Sequence, residues 1–296
     1  MLDAHAVGAC MYVPATHQRL ADIVRGMTLA NVRTLVICTE DAVADHDLPF
    51  AMKNVLRSLP QIDKAGSRNI FLRPRNLEVL RRVVSAPGAE RLDGYVLPKA
   101  CESSLLESLS LIPDHVGVMP TLETREVFCE ERMRSLRDCL AEYRDRVICM
   151  RIGGNDLLAL LGMRRPVGTT LYETPLGHVI SRLATTWIPE GFSLAAPVFE
   201  YVSDVETLRR EIRQDMNHGL IGKTAIHPSQ VPVIEGHYQV EPDEVREAMR
   251  ILALDAPGVF KSRGGMCEPA THRPWAQQVL RKAQLFGDGM SEAVNG

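Results

Sequence analysis

The sequence has no long apolar run, and this absence excludes a membrane-spanning chain. No stretch reaches the roughly 18 consecutive apolar residues that a transmembrane helix requires. The first residues lack a basic opening followed by a long apolar segment, and Asp3 adds an early negative charge. We therefore expect no signal peptide and no membrane partner.

The sequence also lacks a strong net charge and paired cysteines. Its formal net charge is −3 and its basic residues form no extended stripe, so nothing in the composition suggests a nucleic-acid partner. The seven cysteines include no CxxC pair and no His/Cys spacing typical of zinc. Cys10, Cys38 and Cys149 lie within apolar runs, which we interpret as buried, reduced thiols of a cytoplasmic protein.

What the sequence does contain is a regular alternation of short apolar runs with amphipathic segments. Runs rich in Val, Ile, Leu or Met begin at Gly8, Arg33, Asn69, Asp93, His115, Val147, Phe192 and Gly219. Helical patterns such as Val127–Asp145 and Val205–His218 separate them. Buried parallel strands have this pattern, and eight strand–helix units predict a closed (β/α)8 TIM barrel. A doubly wound open sheet is the alternative.

The end of the chain departs from this alternation. We predict a barrel domain over residues 1–256 and a C-terminal helical arm over residues 257–296. The arm contains Pro269 and Pro274, followed by a helical stretch, Trp275–Phe286. An arm of this kind is suited to packing on a neighbouring subunit.

Polar residues follow six of the eight predicted strands, at the ends where TIM-barrel enzymes place their chemistry. They are Glu40 and Asp41 after the second strand, Arg73 and Arg75 after the third, Lys99 after the fourth, Glu123 after the fifth, Asp156 after the sixth and His227 after the eighth. All strands of such a barrel run in the same direction. We therefore expect these side chains to converge on one face.

The acidic members of this set predict a metal site. Crowded carboxylates repel one another and are costly to bury, and a divalent cation with oxygen ligands resolves that conflict. Glu123 and Asp156 follow adjacent strands, so both are candidate ligands of one Mg2+ or Mn2+ ion, with Glu40 and Asp41 holding its waters. The alternative for Asp41 or Asp156 alone is an N-cap of the next helix.

The basic members are candidates for substrate binding. Arg73 can present two parallel donors to a substrate carboxylate, or it can pair with the acidic cluster. Lys99 either binds the substrate or forms a structural salt bridge across the barrel mouth. His227 precedes Pro228, and we interpret it as shaping the loop after the eighth strand.

In their order and spacing, these strand ends resemble the HpcH/HpaI aldolase and citrate lyase beta-subunit family from about Tyr12 to about Gln230. The matching segments are Tyr12–Ala15, Thr39–Val43, the strand that ends at Arg73, Leu97–Lys99, Thr121–Thr124, Gly153–Leu157 and Gly222–Gln230. The resemblance implies a Mg2+-dependent barrel that is usually oligomeric, often trimeric, and that acts on acyl-CoA esters or 2-oxo acids.

The resemblance also implies roles for individual residues. Glu123 and Asp156 match the metal ligands of the family. Arg73 matches the arginine that binds the substrate, although Arg75 is an alternative counterpart. Glu40 and Asp41 match the acidic pair near the catalytic centre, so the resemblance makes Arg73 and this pair the candidate catalytic residues.

The chain departs from the family pattern in three places. The basic residue that usually opens the first strand is absent from residues 8–11, and the seventh strand, at residues 195–198, lacks the common aspartate. The segment at residues 264–269 differs from the one with which a CoA-binding citrate lyase would close its site. These departures leave the substrate and the use of CoA open, and they fit a divergent citrate-lyase-like branch associated with tellurite-resistance gene clusters.

Our hypothesis is a Mg2+-dependent carbon–carbon lyase of the aldol or Claisen type that acts on a small carboxylated substrate. Glu40, Asp41 or a metal-bound hydroxide could serve as the base. Thioester hydrolysis at the same site is an alternative, as is Schiff-base chemistry through Lys99. The non-enzymatic alternative is a metal- and ligand-binding barrel with a role specific to its gene cluster.

Overall fold

The computed structural model describes residues 2–288 and divides the chain into two compact units, Met1–Ile234 and Glu235–Gly296. In the first unit, eight parallel strands pair in sequence order, and β8 closes the barrel by pairing with β1. The predicted (β/α)8 barrel is therefore confirmed, and the open-sheet alternative is wrong.

The strands are short, as expected for buried parallel strands. Their bounds are β1 Ala9–Pro14, β2 Thr34–Cys38, β3 Asn69–Arg73, β4 Gly94–Leu97, β5 Gly117–Leu122, β6 Met150–Ile152, β7 Leu194–Ala196 and β8 Ile221–Ala225. The α-helices of this unit are α1 Leu20–Val24, α2 Leu48–Ser58, α3 Leu77–Val84, α4 Glu102–Leu111, α5 Glu130–Ala141, α6 Gly154–Leu160, α7 Leu176–Trp187 and α8 Val205–Asn217, and α9 Gln230–Gly236 spans the boundary. None of the helices within residues 2–288 has the length and apolarity to cross a bilayer.

The barrel interior is built in layers, because side chains two residues apart on a strand point to the same side. One layer is fully apolar and includes Phe71 and Cys149. Two residues further along the same strands, Arg73 and Arg151 face a cavity. The pleat of the strands therefore sets two arginines directly above an apolar core.

Strands β4 and β5 approach each other closely at a pair of glycines. Gly94 lies opposite Gly117 in the parallel register. A Cβ atom on Gly94 would lie 2.2 Å from the carbonyl oxygen of Gly117 and 2.9 Å from a ring carbon of Phe71. Only glycine fits at this position without moving the backbone of the neighbouring strand.

The second unit has its own small core. Helices α10 (Pro242–Leu252) and α11 (Pro269–Phe286) and the antiparallel hairpin β9–β10 (Phe260–Ser262 and Gly265–Cys267) contribute to one apolar cluster. Because α10 shares this cluster with α11, the division of the chain falls earlier than the predicted boundary after residue 256.

Helix α11 also begins before the predicted stretch that starts at Trp275. It starts at Pro269, where a fixed φ suits the first helical position, and it continues through Pro274. Residues 289–296 of the predicted arm lie outside the described residues.

We expect Gly94→Ala to destabilise the chain by about 1–3 kcal/mol, because the added methyl group overlaps the backbone of β5. The matched control is Gly66→Ala, where the nearest atom would be 3.7 Å away, and we expect a change within about 0.5 kcal/mol. Thermal and urea unfolding of the full chain measure both effects. Equal stability of the two variants would contradict the close approach of β4 and β5.

Candidate active site

A cavity of about 420 Å³ opens at the carboxyl ends of the barrel strands. Residues from β1, β2, β3, β5, β6 and β8 and from the loops after them line it. The predicted site residues Asp41, Arg73, Glu123 and Asp156 are among them. The strand-end rule and the cavity therefore point to the same end of the barrel.

The guanidinium of Arg73, at the end of β3, joins three of the predicted carboxylates. Its Nη2 atom lies 2.9 Å from Glu40 Oε2, 3.0 Å from Glu123 Oε1 and 3.3 Å from Asp41 Oδ2. Burial opposes the positive charge, but the neighbouring carboxylates Glu123 and Glu40 raise the pKa of Arg73. Arg73 therefore pairs with the acidic cluster, which is one of its two predicted alternatives. It also faces the cavity, as the substrate-binding alternative requires.

Glu40 is the ionised, buried anchor of the cluster. Lys99 Nζ donates to its Oε1 atom, and the N–H of Asp41 donates to its Oε2 atom at 2.9 Å. Burial disfavours the charge, but the hydrogen bond from the Asp41 side chain, the charge of Arg73 and the hydrogen bond from Lys99 together lower the pKa of Glu40 to about 2.

Asp41 differs from Glu40 in exposure and in protonation. Its side chain is 53% exposed and faces the cavity. Partial burial and the hydrogen bond to Glu40 raise the pKa of Asp41 to about 6, although Arg73 acts in the opposite direction. The adjacent carboxyls therefore have different roles, with Glu40 fixed as an anion and Asp41 able to exchange a proton near neutral pH.

Glu123 is held by backbone as well as by charge. The N–H of Lys99 donates to its Oε1 atom at 2.7 Å, and Lys99 adopts the left-handed backbone region, with φ of 50°, to do so. A Cβ atom on Gly153 would lie 2.4 Å from the Cβ atom of Glu123, so the glycine makes room for this side chain. Burial and the charge of Asp156 raise the pKa of Glu123 to about 7 despite Arg73.

Asp156 lies in the first turn of α6 and faces the same cavity. Its side chain does not cap that helix, whose N-cap is Gly153, so the N-cap alternative is not observed. Asp41 likewise lies before the N-cap of the next helical turn, Ala44. Both carboxylates are therefore free of the local structural role that the sequence left open.

The donor set of the cavity fits a hard divalent cation. Residues 2–288 contain no group of three or more His, Cys, Asp or Glu side chains arranged around a metal position. Glu123 and Asp156 instead line the cavity together, and burial and the charge of Asp156 raise the pKa of Glu123. Mg2+ is commonly held by one or two carboxylates with waters and substrate oxygens, whereas zinc sites take more protein ligands.

Two other predicted residues lie away from the cavity. Arg75 turns to Asp45 and to the carbonyl oxygen of Val43, so Arg73 is the arginine that faces the site. His227 is exposed, and its Nδ1 atom lies 2.7 Å from Ser229 Oγ in the loop after β8. The loop-shaping interpretation of His227 agrees with this position.

Lys223 belongs to the segment that carries much of the family resemblance, yet it points away from the cavity. Its Nζ atom lies 2.9 Å from Glu211 and 2.8 Å from Asp215, both on α8, and all three side chains are buried. Arg165 pairs with the other oxygen of Glu211. The lysine therefore anchors α8 and the loop after α6 to the barrel wall.

Sequence reasoning missed a charged residue that faces the cavity. Arg151 lies in the middle of β6, is 2% exposed and lines the cavity. The signal that could have found it is a charged residue inside an apolar strand, because charged side chains are rarely buried without a partner. The strand-end rule does not find it, since it precedes the end of β6.

The chain belongs to the family described as C–C bond lyases of the TIM-barrel fold, whose model matches residues 1–288. The resemblance inferred from the sequence is thereby confirmed at the level of the family. Among individual proteins, the (3S)-malyl-CoA thioesterase of Cereibacter sphaeroides strain KD131 is 25% identical over 291 residues, which cover 96% of this chain and 97% of that protein. The mitochondrial citramalyl-CoA lyase of Homo sapiens is 24% identical over 288 residues, with coverage of 88% and 81%.

A solved structure shares the fold. It is the crystal structure of CitE from Mycobacterium tuberculosis in complex with magnesium, acetoacetate and coenzyme A, which superposes with a TM-score of 0.68. The match covers 95% of this chain and 99% of that chain at 23% sequence identity. At this identity, the likeness shows the shared barrel architecture.

We expect Lys223→Met to lower the free energy of unfolding by about 3–5 kcal/mol, because two buried carboxylates would lose their shared cation. Lys53→Met, at an exposed position on α2, is the matched control and should change stability by less than about 0.5 kcal/mol. Urea denaturation compares the two variants. A loss below about 1 kcal/mol for Lys223→Met would mean that the buried network is not a stability element.

Proposed function

We propose that this chain is a Mg2+-dependent carbon–carbon lyase of the aldol or Claisen type that acts on a small carboxylated 2-oxo acid or acyl-CoA substrate. The observation that carries the proposal is the cavity at the barrel mouth, where Arg73 and the carboxylates of Glu123 and Asp156 face one space. Membership of the C–C bond lyase family supports the reaction class.

The reaction breaks the bond between a carbon that bears a hydroxyl group and a carbon next to a carbonyl. The hydroxyl group gives its proton to a base, and its oxygen becomes the carbonyl oxygen of one product. The electron pair of the broken bond passes to the other fragment as an enolate, which takes up a proton to complete the second product. The protein must therefore stabilise the enolate and exchange protons.

In this scheme, Glu123 and Asp156 would hold Mg2+, and Arg73 would bind the substrate beside them. A bound Mg2+ supplies positive charge near the carbonyl oxygen on which negative charge develops. Arg73 adds hydrogen bonds to a carboxylate or carbonyl of the substrate. Glu40 keeps the Arg73 side chain in place through the contact of 2.9 Å.

Asp41 is the base best suited to accept the hydroxyl proton. Its carboxyl faces the cavity, whereas both oxygens of Glu40 are engaged by Lys99, Arg73 and the backbone N–H of Asp41. A base works best when its pKa lies near the working pH, and the pKa of Asp41 is raised to about 6.

Schiff-base chemistry through Lys99 fits the site less well. Burial opposes the charge of the ammonium group, but the hydrogen bond and ion pair with Glu40 and the nearby Asp41 raise the pKa of Lys99. A Schiff-base lysine must instead lose its proton to become a nucleophile. Lys99 therefore orders Glu40 and, through its backbone N–H, Glu123.

The substrate class follows from the relatives. The proteins reported above act on malyl-CoA or citramalyl-CoA by name, and the solved CitE complex contains magnesium, acetoacetate and coenzyme A. A carboxylated acyl-CoA is therefore the first substrate class to test. Thioester hydrolysis is the second candidate function, because one of these relatives is named a thioesterase and its match covers 96% of this chain. Cytoplasmic location and assembly into a homo-oligomer, such as a trimer, remain predictions.

Incubation of the full chain with malyl-CoA or citramalyl-CoA and Mg2+ tests the proposal. A lyase releases a 2-oxo acid and leaves the thioester of the second product intact, whereas a thioesterase releases free CoA thiol. We expect the 2-oxo acid, and we expect a chelator to abolish its formation. Activity that survives the chelator, with substrate trapped on Lys99 by borohydride, would favour the Schiff-base alternative. No turnover with metal saturated would favour the ligand-binding alternative.

Asp41→Asn should lower kcat by about 100-fold or more, because the amide cannot accept the hydroxyl proton. In the unaltered chain, kcat/KM should fall as the pH drops below about 6, since the raised pKa of Asp41 means that its base form is lost there. Steady-state kinetics between pH 5 and 8 measure both effects. Asp145→Asn, at an exposed position outside the cavity, is the matched control, and equal activity of the two variants would exclude Asp41 as the base.

A further inference from the structure

Arg151 is a buried cation that has no counter-charge among residues 2–288. Its described partners are neutral: Thr224 Oγ1 accepts from Nη2, Met119 Sδ lies 3.9 Å from Nη1, and the Tyr12 ring centroid lies 5.5 Å from Cζ. The thiol of Cys10, whose pKa is raised by burial, is a further neutral hydrogen-bond partner. No carboxylate of the described chain lies within ion-pair distance of Arg151. A guanidinium stays charged in proteins, and a buried charge without a partner is costly.

The polar groups around Arg151 face the cavity of the candidate active site. Thr121 lies opposite Arg151 in the register of β5 with β6, and both line the cavity together with Thr224. The Oγ1 atom of Thr121 is buried and has no hydrogen-bond partner among residues 2–288. A guanidinium without a counter-charge among the described residues and an unsatisfied hydroxyl group therefore share one wall of the cavity.

The two arginines of the cavity differ in charge balance. Arg73 is compensated by three carboxylates. Arg151 is compensated by none of the described residues, although both guanidinium groups lie close enough to Tyr12 to influence its hydroxyl group. The cavity thus has an acidic end, at Glu123 and Asp156, and a cationic wall at Arg151.

We infer that Arg151, together with Thr121 and Thr224, binds a second carboxylate of the substrate. This inference rests on the proposed function, in which Arg73 and the metal-binding carboxylates take the reacting 2-oxo or acyl end. One uncompensated positive charge with hydroxyl donors matches one carboxylate. The preferred 2-oxo fragment is therefore a dicarboxylate, with its second carboxylate remote from the reacting carbonyl. Malyl-CoA and citramalyl-CoA release monocarboxylic 2-oxo acids, so we expect them to be turned over but to be poorer substrates.

Binding of two matched 2-oxo acids tests this inference. Oxaloacetate and 2-oxobutyrate have the same chain length and differ at the end remote from the 2-oxo group, which is a carboxylate in one and a methyl group in the other. With Mg2+ present, calorimetry should show that the unaltered chain binds oxaloacetate at least about 10-fold more tightly. Equal affinities would overturn the inference without any variant.

Arg151→Met should weaken oxaloacetate binding by about 10- to 100-fold and leave 2-oxobutyrate binding within about 3-fold. The variant should fold, since an apolar side chain replaces an unpaired buried charge. Thr121→Val is the second variant, with a smaller loss for oxaloacetate alone, and it keeps the test decisive if Arg151→Met is unstable. Arg82→Met, exposed on α3, is the control for loss of one positive charge. Equal weakening of both acids would assign Arg151 a purely structural role.

Succinate without metal separates this inference from the proposed function. If the unaltered chain is stabilised by succinate in a thermal-shift assay and Arg151→Met is not, the carboxylate site stands even when neither 2-oxo acid binds with Mg2+. If both 2-oxo acids bind without preference for oxaloacetate, the second carboxylate site is overturned, but the lyase proposal keeps its support. If none of the three ligands binds, both the carboxylate site and the proposed function are overturned.

Discussion

The ion pairs of Arg73 hold the mouth of the barrel together. Strands β2 and β5 each deliver a buried glutamate to this position, and without a cation the two carboxylates would repel each other in a poorly solvated space. Arg73 lies within 3.0 Å of both, and Lys99 adds a second cation to Glu40. The compensation is unequal: Glu40 stays ionised, whereas the pKa of Glu123 is raised to about 7 beside Asp156. This difference supports the proposal that a divalent cation binds at the Glu123 end.

The positive charge of the cavity is divided in the same unequal way. Three carboxylates surround Arg73, whereas the described partners of Arg151 in the same cavity are all neutral. A substrate with two carboxylates and a carbonyl would match this distribution, with its reacting end at Arg73 and its second carboxylate at Arg151. An apolar layer lies beneath Arg151 in the barrel. The proposed reaction class and the inferred substrate class therefore rest on one charge distribution.

Much of this arrangement could be predicted from the sequence, and the remainder depends on register. Apolar runs at regular spacing predict eight buried strands, and the rule for strand ends selects Glu40, Arg73 and Glu123 without structural knowledge. Side chains alternate in direction only within a strand. Arg73 and Arg75 can therefore be distinguished only when the end of β3, at Arg73, is known. Lys223 points outward and Thr224 inward after a register shift between β7 and β8, which no local pattern indicates. The shared core of α10 and α11 likewise depends on tertiary packing that no local pattern indicates, and the domain boundary after residue 256 stays a prediction.

A calorimetric titration with Mg2+ tests the central claim most directly. The unaltered chain and the double variant Glu123→Gln/Asp156→Asn keep nearly the same shape and differ in the charges that would hold the ion. If Glu123 and Asp156 are the ligands, the unaltered chain binds about one Mg2+ per chain and the double variant binds at least about 100-fold more weakly, while thermal unfolding without metal checks that the variant remains folded. Equal Mg2+ affinity of the two proteins, or no binding by either, would contradict the metal site and with it the proposed lyase chemistry.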